Sequence, residues 1–148
     1  MKYTATIHKE FIEKSEIVKV GGLRNCKNLS LNTPVRQGDL IFTKVQNNHP
    51  RGKEINERQL VLGSTQGSRH IAGKTFKIYE GVEFPSFFTN EFKKIKDCLG
   101  PVLVVIDDTD LITHPEHCNY SFSKGDTIQV TYECDLRTLT RIRDWPIL

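Results

Sequence analysis

Apolar and polar positions alternate along most of this chain in short stretches, broken by glycine, asparagine and proline. Residues 2–8 set Tyr3, Ala5 and Ile7 against Lys2, Thr4 and Thr6, the period of a half-buried strand. Phe11-Ile12 and Ile17-Val18-Lys19-Val20 follow, and residues 21–34 have the composition of a loop closed by Pro34. Gly38-Asp39 then launches Leu40-Ile41-Phe42-Thr43-Lys44-Val45, whose branched and aromatic residues suit a pleated, buried surface. The polar cluster 47–52 predicts a turn, and further strands are expected at 59–62, 70–72 and 75–79. The unbroken apolar run 102–106 predicts a central strand buried on both faces. Leu111-Ile112-Thr113 is a shorter run. Tyr120-Ser121-Phe122 and 127–132, joined by Ser123-Lys124-Gly125-Asp126, predict a hairpin.

Only residues 85–99 carry a helical period, through Phe88, Phe92, Ile95 and Leu99, with Thr89 as cap and Gly100-Pro101 as stop. The pattern predicts a mainly β fold: a small antiparallel barrel or sandwich with one short helix inserted at about 87–99. One domain over 1–148 is expected, since 148 residues suffice for a single core.

Composition narrows the class. The chain is 37% hydrophobic and 26% charged, with a mean hydropathy of −0.42, values of a folded protein outside the membrane. The run at 102–106 is too short to span a bilayer, and the first residues lack the apolar core of a secretory signal. A net charge of +3 falls well short of a nucleic-acid-binding arm. Cys26, Cys98, Cys118 and Cys134 show no C-x-x-C spacing. Free thiols in a reducing, cytoplasmic setting are therefore expected.

Four patterns bear on chemistry. Gly73-Lys74-Thr75 imitates the end of a phosphate loop, but Ser68 stands where glycine is required and Phe76-Lys77-Ile78-Tyr79 follows as a strand. A glycine turn is expected instead, because a phosphate loop must open a helix. His114 and His117, with Cys118 beside them and His70 in a distant turn, are ligand types for zinc or another divalent transition metal. Glu116 or Asp110 would complete such a set. The alternative is loop histidines bonded to backbone, and Pro115 bars a regular helix between them. Asp107, Asp108 and Asp110 favour a turn, since aspartate bonds its own backbone there. Lys93, Lys94 and Lys96, and Arg137, Arg141 and Arg143 near Trp145, are interleaved with acids and favour solvated faces.

The order of several pieces resembles an uncharacterised group of small bacterial and phage β-rich proteins. Those pieces are Gln37-Gly38-Asp39-Leu40, the turn Gly67-Ser68-Arg69-His70, His114-Pro115-Glu116-His117, Lys124-Gly125-Asp126 and Arg141-Ile142-Arg143-Asp144. The group's glycine turn often carries two histidines, and this chain has His70 alone. The resemblance implies a cytoplasmic β-rich protein of bacterial or phage origin, and no activity.

Three functions follow as expectations. The first is a non-catalytic binding module that engages a protein or small ligand through loops, with Arg69, Glu116, Arg141, Arg143 and Trp145 as contacts and no cofactor. The second is a metal-dependent enzyme with His70, His114 and His117 as ligands and Glu116 as acid or base. The third, less favoured, is a weak nucleic-acid binder using the Arg-rich end.

Overall fold

A computed structural model describes residues 22–60, 70–107, 109–114 and 117–142. The strands expected at 2–8 and 17–20 lie outside the described residues, as do Val61 and Leu62. Twelve strands occur among the described residues: β1 (Leu23–Asn25), β2 (Pro34–Gln37), β3 (Leu40–Val45), β4 (Arg51–Ile55), β5 (Ile71–Ala72), β6 (Phe76–Gly81), β7 (Leu99–Val105), β8 (Asp110–Thr113), β9 (Asn119–Phe122), β10 (Thr127–Tyr132), β11 (Cys134–Asp135) and β12 (Thr140–Arg141). They form a four-stranded sheet ordered β1-β9-β8-β5, a six-stranded sheet ordered β2-β3-β10-β7-β6-β4, and a β11–β12 ribbon. Only the β1–β9 pairing is parallel among the described strands.

No barrel closes among the described residues; the fold is a mainly β, sandwich-like arrangement of sheets. Phe42 of β3 meets Tyr120 and Phe122 of β9 edge to face, with ring centroids 5.9 and 6.1 Å apart. Aromatic edges carry partial positive charge and ring faces partial negative charge, which favours this geometry between facing sheets. The strands buried on both faces are β3 and β10, all six residues of each being buried. β7, the neighbour of β10, lies inside the same sheet, but Val104 is only half-buried and Ile106 is 43% exposed. The apolar run therefore overstates its own burial toward the end.

The expected hairpin is not one. β9 belongs to the smaller sheet and β10 to the larger, so the turn at 123–126 carries the chain across the sandwich. Gly125 adopts φ +88° there, and its N–H donates to Val105 O at 2.9 Å. The loop expected at 21–34 contains β1, and the turn expected at 47–52 gives way to β4 at Arg51. Of 59–62, Gln59 makes a single bridge to Ile71.

The helix is much shorter than its periodicity suggests. It comprises α1 (Asn90–Lys93) and a separate 3-10 turn at Lys96–Cys98. Thr89 does cap it, its Oγ1 accepting from Phe92 N at 3.3 Å. Phe88, Phe92 and Ile95 are buried, but Leu99 already belongs to β7. Gly100 and Pro101 lie within that strand rather than ending a helix. Register explains how an internal strand tolerates proline: Gln129 and Thr131 of β10 pair with Val102 and Leu99, so β7 carries one extra residue. Pro101, which has no N–H for the ladder, sits in this bulge. The displaced carbonyls of Gly100 and Pro101 accept from Gln129 Nε2 at 2.8 and 3.3 Å.

Candidate functional site

Strand register brings the histidines together. β5 and β8 pair Ile71 with Thr113 and Ala72 with Ile112, so the next pair outward is His70 with His114. Side chains alternate along strands, so both rings share the core-facing side with Ala72 and Ile112. His70 is fully buried and His114 nearly so. Their ring centroids are 4.4 Å apart, and those of His114 and His117 are also 4.4 Å apart. His117 is half-buried. The rings thus form a row of contacts, His70 to His114 to His117, along which burial decreases.

The inner end of the row is held by two residues from the other sheet. Gln37 ends β2 and Asp39 immediately precedes β3, and between them Gly38 has φ +60°, the glycine-first pattern of a two-residue hairpin turn. That tight turn delivers both side chains to one imidazole. Gln37 Oε1 lies 2.9 Å from His70 Nδ1, and Asp39 Oδ1 lies 3.1 Å from Nε2. The Gln37 amide nitrogen donates to Ile112 O at 3.0 Å and Cys118 O at 2.9 Å. Two carbonyl acceptors fix the amide orientation, so its oxygen faces Nδ1 and Nδ1 carries a hydrogen. One further proton is shared between Nε2 and Asp39, as a buried ion pair or as a neutral acid–imidazole pair. Both nitrogens of His70 therefore face side chains of the protein itself. An Asp–His catalytic dyad needs the second ring nitrogen open toward substrate.

A surrounding lattice supports this junction. Arg36 Nη2 pairs with Glu133 Oε2 at 3.1 Å, its Nε donates to Gly38 O, and Tyr120 Oη donates to Arg36 O. Leu60 N donates to His70 O at 2.7 Å, and Ala72 N donates to Arg58 O at 2.9 Å. The segment before the 61–69 stretch is thereby tied to β5.

The other expected site residues fall as follows. No group of three His, Cys, Asp or Glu among the described residues is arranged to hold a metal. Asp110 is engaged elsewhere, accepting from Thr75 N at 2.6 Å and Thr75 Oγ1 at 2.7 Å. Asp110 of the acid set and the Gly-Lys-Thr turn, read separately in the sequence, are one structure. A Cβ on Gly73 would sit 1.8 Å from Asp110 Oδ1. Gly73 is thus required for a carboxylate-bound turn, and β6 rather than a helix follows it. Arg141 does not project freely: its guanidinium carbon lies 3.5 Å from the Tyr132 ring centroid, a cation–π contact against the core. Arg137 is paired with Asp135 at 3.4 Å. β12 does pack against the 3-10 turn. Arg69, Glu116, Arg143 and Trp145 lie outside the described residues.

All four cysteines are free and buried. Burial pushes the Cys26 thiol up to about 11. Cys98 is raised further, first by its hydrogen bond to Cys134 and then by burial. Cys118 is also raised by burial. Thiolate is the metal-binding and nucleophilic form, so these shifts work against both roles.

Gln37 and Asp39 are the site residues missed in the sequence. Their signal is present as two polar side chains flanking a turn glycine between apolar runs, but only the pairing of sheets reveals what they face. The chain matches no family model, no curated protein and no solved structure, so the roles of these residues rest on its own geometry.

Proposed function

We infer that the protein is a non-catalytic binding module, engaging a protein or small-ligand partner through the segments that join its strands. One observation carries this reading. His70, the residue most suited by type and burial to acid–base or metal chemistry, has both ring nitrogens facing Gln37 and Asp39. That arrangement makes the imidazole a pin between sheets. It holds the β2–β3 turn, the start of β5 and the end of β8 in fixed relation, which is what a preorganised binding surface needs.

The test pairs metal analysis of the dialysed protein with a thermal-shift screen of small molecules and peptides, hits being confirmed by titration calorimetry. The expected result is substoichiometric metal and a saturable ligand recovered chemically unchanged. Stoichiometric zinc that disappears in His117→Ala, or conversion of the ligand to a product, overturns the reading. Oligonucleotide binding that weakens steeply with salt would replace it with a nucleic-acid function.

A further inference from the structure

Two irregularities in the six-stranded sheet bracket one place. β4 carries an extra residue between Arg51 and Glu54 where it pairs with Gly81 and Tyr79, and β7 carries the bulge at Gly100 and Pro101. Bulges re-aim side chains and open a sheet locally. Here they border an open pocket of about 200 Å³ walled by Ile55, Leu60, Ile78, Leu99 and Pro101. Bare backbone completes the lining, because a Cβ on Gly81 would lie 2.0 Å from Gly100 O.

Glu57 and Glu80 also line this pocket, and both are exposed. Neither forms an ion pair among the described residues. Glu57 Oε1 accepts from Gln59 N at 2.9 Å, which orients that carboxylate without neutralising it. The wall formed by Leu60 is fixed from both sides: its N–H donates to His70 O at 2.7 Å, and Tyr132 Oη donates to its carbonyl at 2.7 Å. The pocket is thus preformed, mostly apolar and edged by two negative charges.

We propose that this pocket binds a small organic cation, a primary alkylammonium with a short apolar body. The hydrocarbon leaves water against Ile55, Ile78 and Leu99, while the ammonium stays near the opening, attracted by Glu57 and Glu80. An anionic head would be repelled there. The assignment rests on the binding-module reading and names its ligand class.

The probe is n-pentylamine, followed by methyl NMR and calorimetry at neutral pH, with n-pentanol and pentanoate as controls. The amine shifts the methyl signals of Ile55, Ile78, Leu60 and Leu99 saturably, the alcohol binds more weakly, and pentanoate weakest. The double variant Glu57→Gln/Glu80→Gln weakens the amine roughly fivefold, the scale of two solvent-screened charges, and leaves the alcohol unchanged. Both substitutions are on the surface, so this arm does not depend on repacking the core. Equal binding of amine and alcohol, shifts confined to other methyls, or no saturable shift overturns the proposal. Tighter binding of Nα-acetyl-lysine amide than of pentylamine also overturns it, in favour of a partner's lysine side chain. If the amine fails while other compounds bind in the thermal screen, the ligand class falls and the module reading stands. If the amine is chemically converted, the module reading falls instead.

Discussion

The two sheets meet in two chemically different ways. At one junction Phe42 packs against Tyr120 and Phe122. At the other, Gln37 and Asp39 reach across to His70 and to the carbonyls of Ile112 and Cys118. Apolar contact is non-directional and summed over many atoms, so losing part of it costs in proportion. A buried polar junction behaves otherwise, because removing one member leaves its partner dehydrated and unmatched. The aromatic junction therefore supplies graded stability, whereas the histidine junction sets a unique register between the sheets.

Breaking the polar junction gives the largest effect. Asp39→Ala is expected to cost about 3–5 kcal/mol in urea unfolding, the scale of an orphaned buried ionic partner. The double variant Asp39→Ala/His70→Ala should cost clearly less than the sum of its single variants, since the second change removes the orphan. Additive losses would show that the two side chains do not act as a pair.

Alkaline unfolding comes next. The Cys26 thiol is held up near 11 in the folded protein, against 9.0 when exposed. Below pH 9 its contribution to stability is complete. Between those values the unfolded chain releases the proton first, so stability falls as pH rises, by on the order of 2 kcal/mol from this group. Cys26→Ala should flatten that part of the pH–stability curve, and an unchanged slope would remove Cys26 as its source.

The aromatic junction gives a smaller, graded response. Phe122→Leu keeps most of the buried volume and should cost below about 1.5 kcal/mol, read as a shift of the urea midpoint without a change in slope. A loss as large as that of Asp39→Ala would erase the contrast between the junctions. The smallest effect has the opposite sign. The Thr43 and Thr131 hydroxyls are buried without a hydrogen-bond partner among the described residues. Thr131→Val, nearly isosteric, should be neutral or stabilise by up to about 1 kcal/mol, because it removes an unmatched polar group. Destabilisation would show that the hydroxyl has a partner after all.

These contrasts also separate what local pattern could and could not show. The residues 40–45 were legible as a strand because period, branching and the preceding glycine agree, and β3 occupies that span. Residues 85–99 misled, because a helical period in Phe88, Phe92 and Ile95 is also met by one capped turn followed by a 3-10 turn. The sequence around 120–132 misled differently. Its turn chemistry is sound, but a tight turn can join strands of one sheet or pass between two. At the site, His70, His114 and His117 were recognisable by type and do come together. Their partners Gln37 and Asp39 were not recognisable, being more than thirty residues away from His70.

Sequence alone determined the β class, the strand at residues 40–45 and the capped helical turn at Thr89. Each depends on interactions among residues a few positions apart, where the backbone leaves few alternatives. Only the tertiary structure decided that β9 and β10 belong to different sheets, that Asp110 binds the Thr75 turn, and that His70 faces Gln37 and Asp39. Those outcomes depend on which strands neighbour one another. Strand pairing joins residues far apart in the chain, and it is settled by burial and hydrogen-bond satisfaction over the whole core rather than by any local preference.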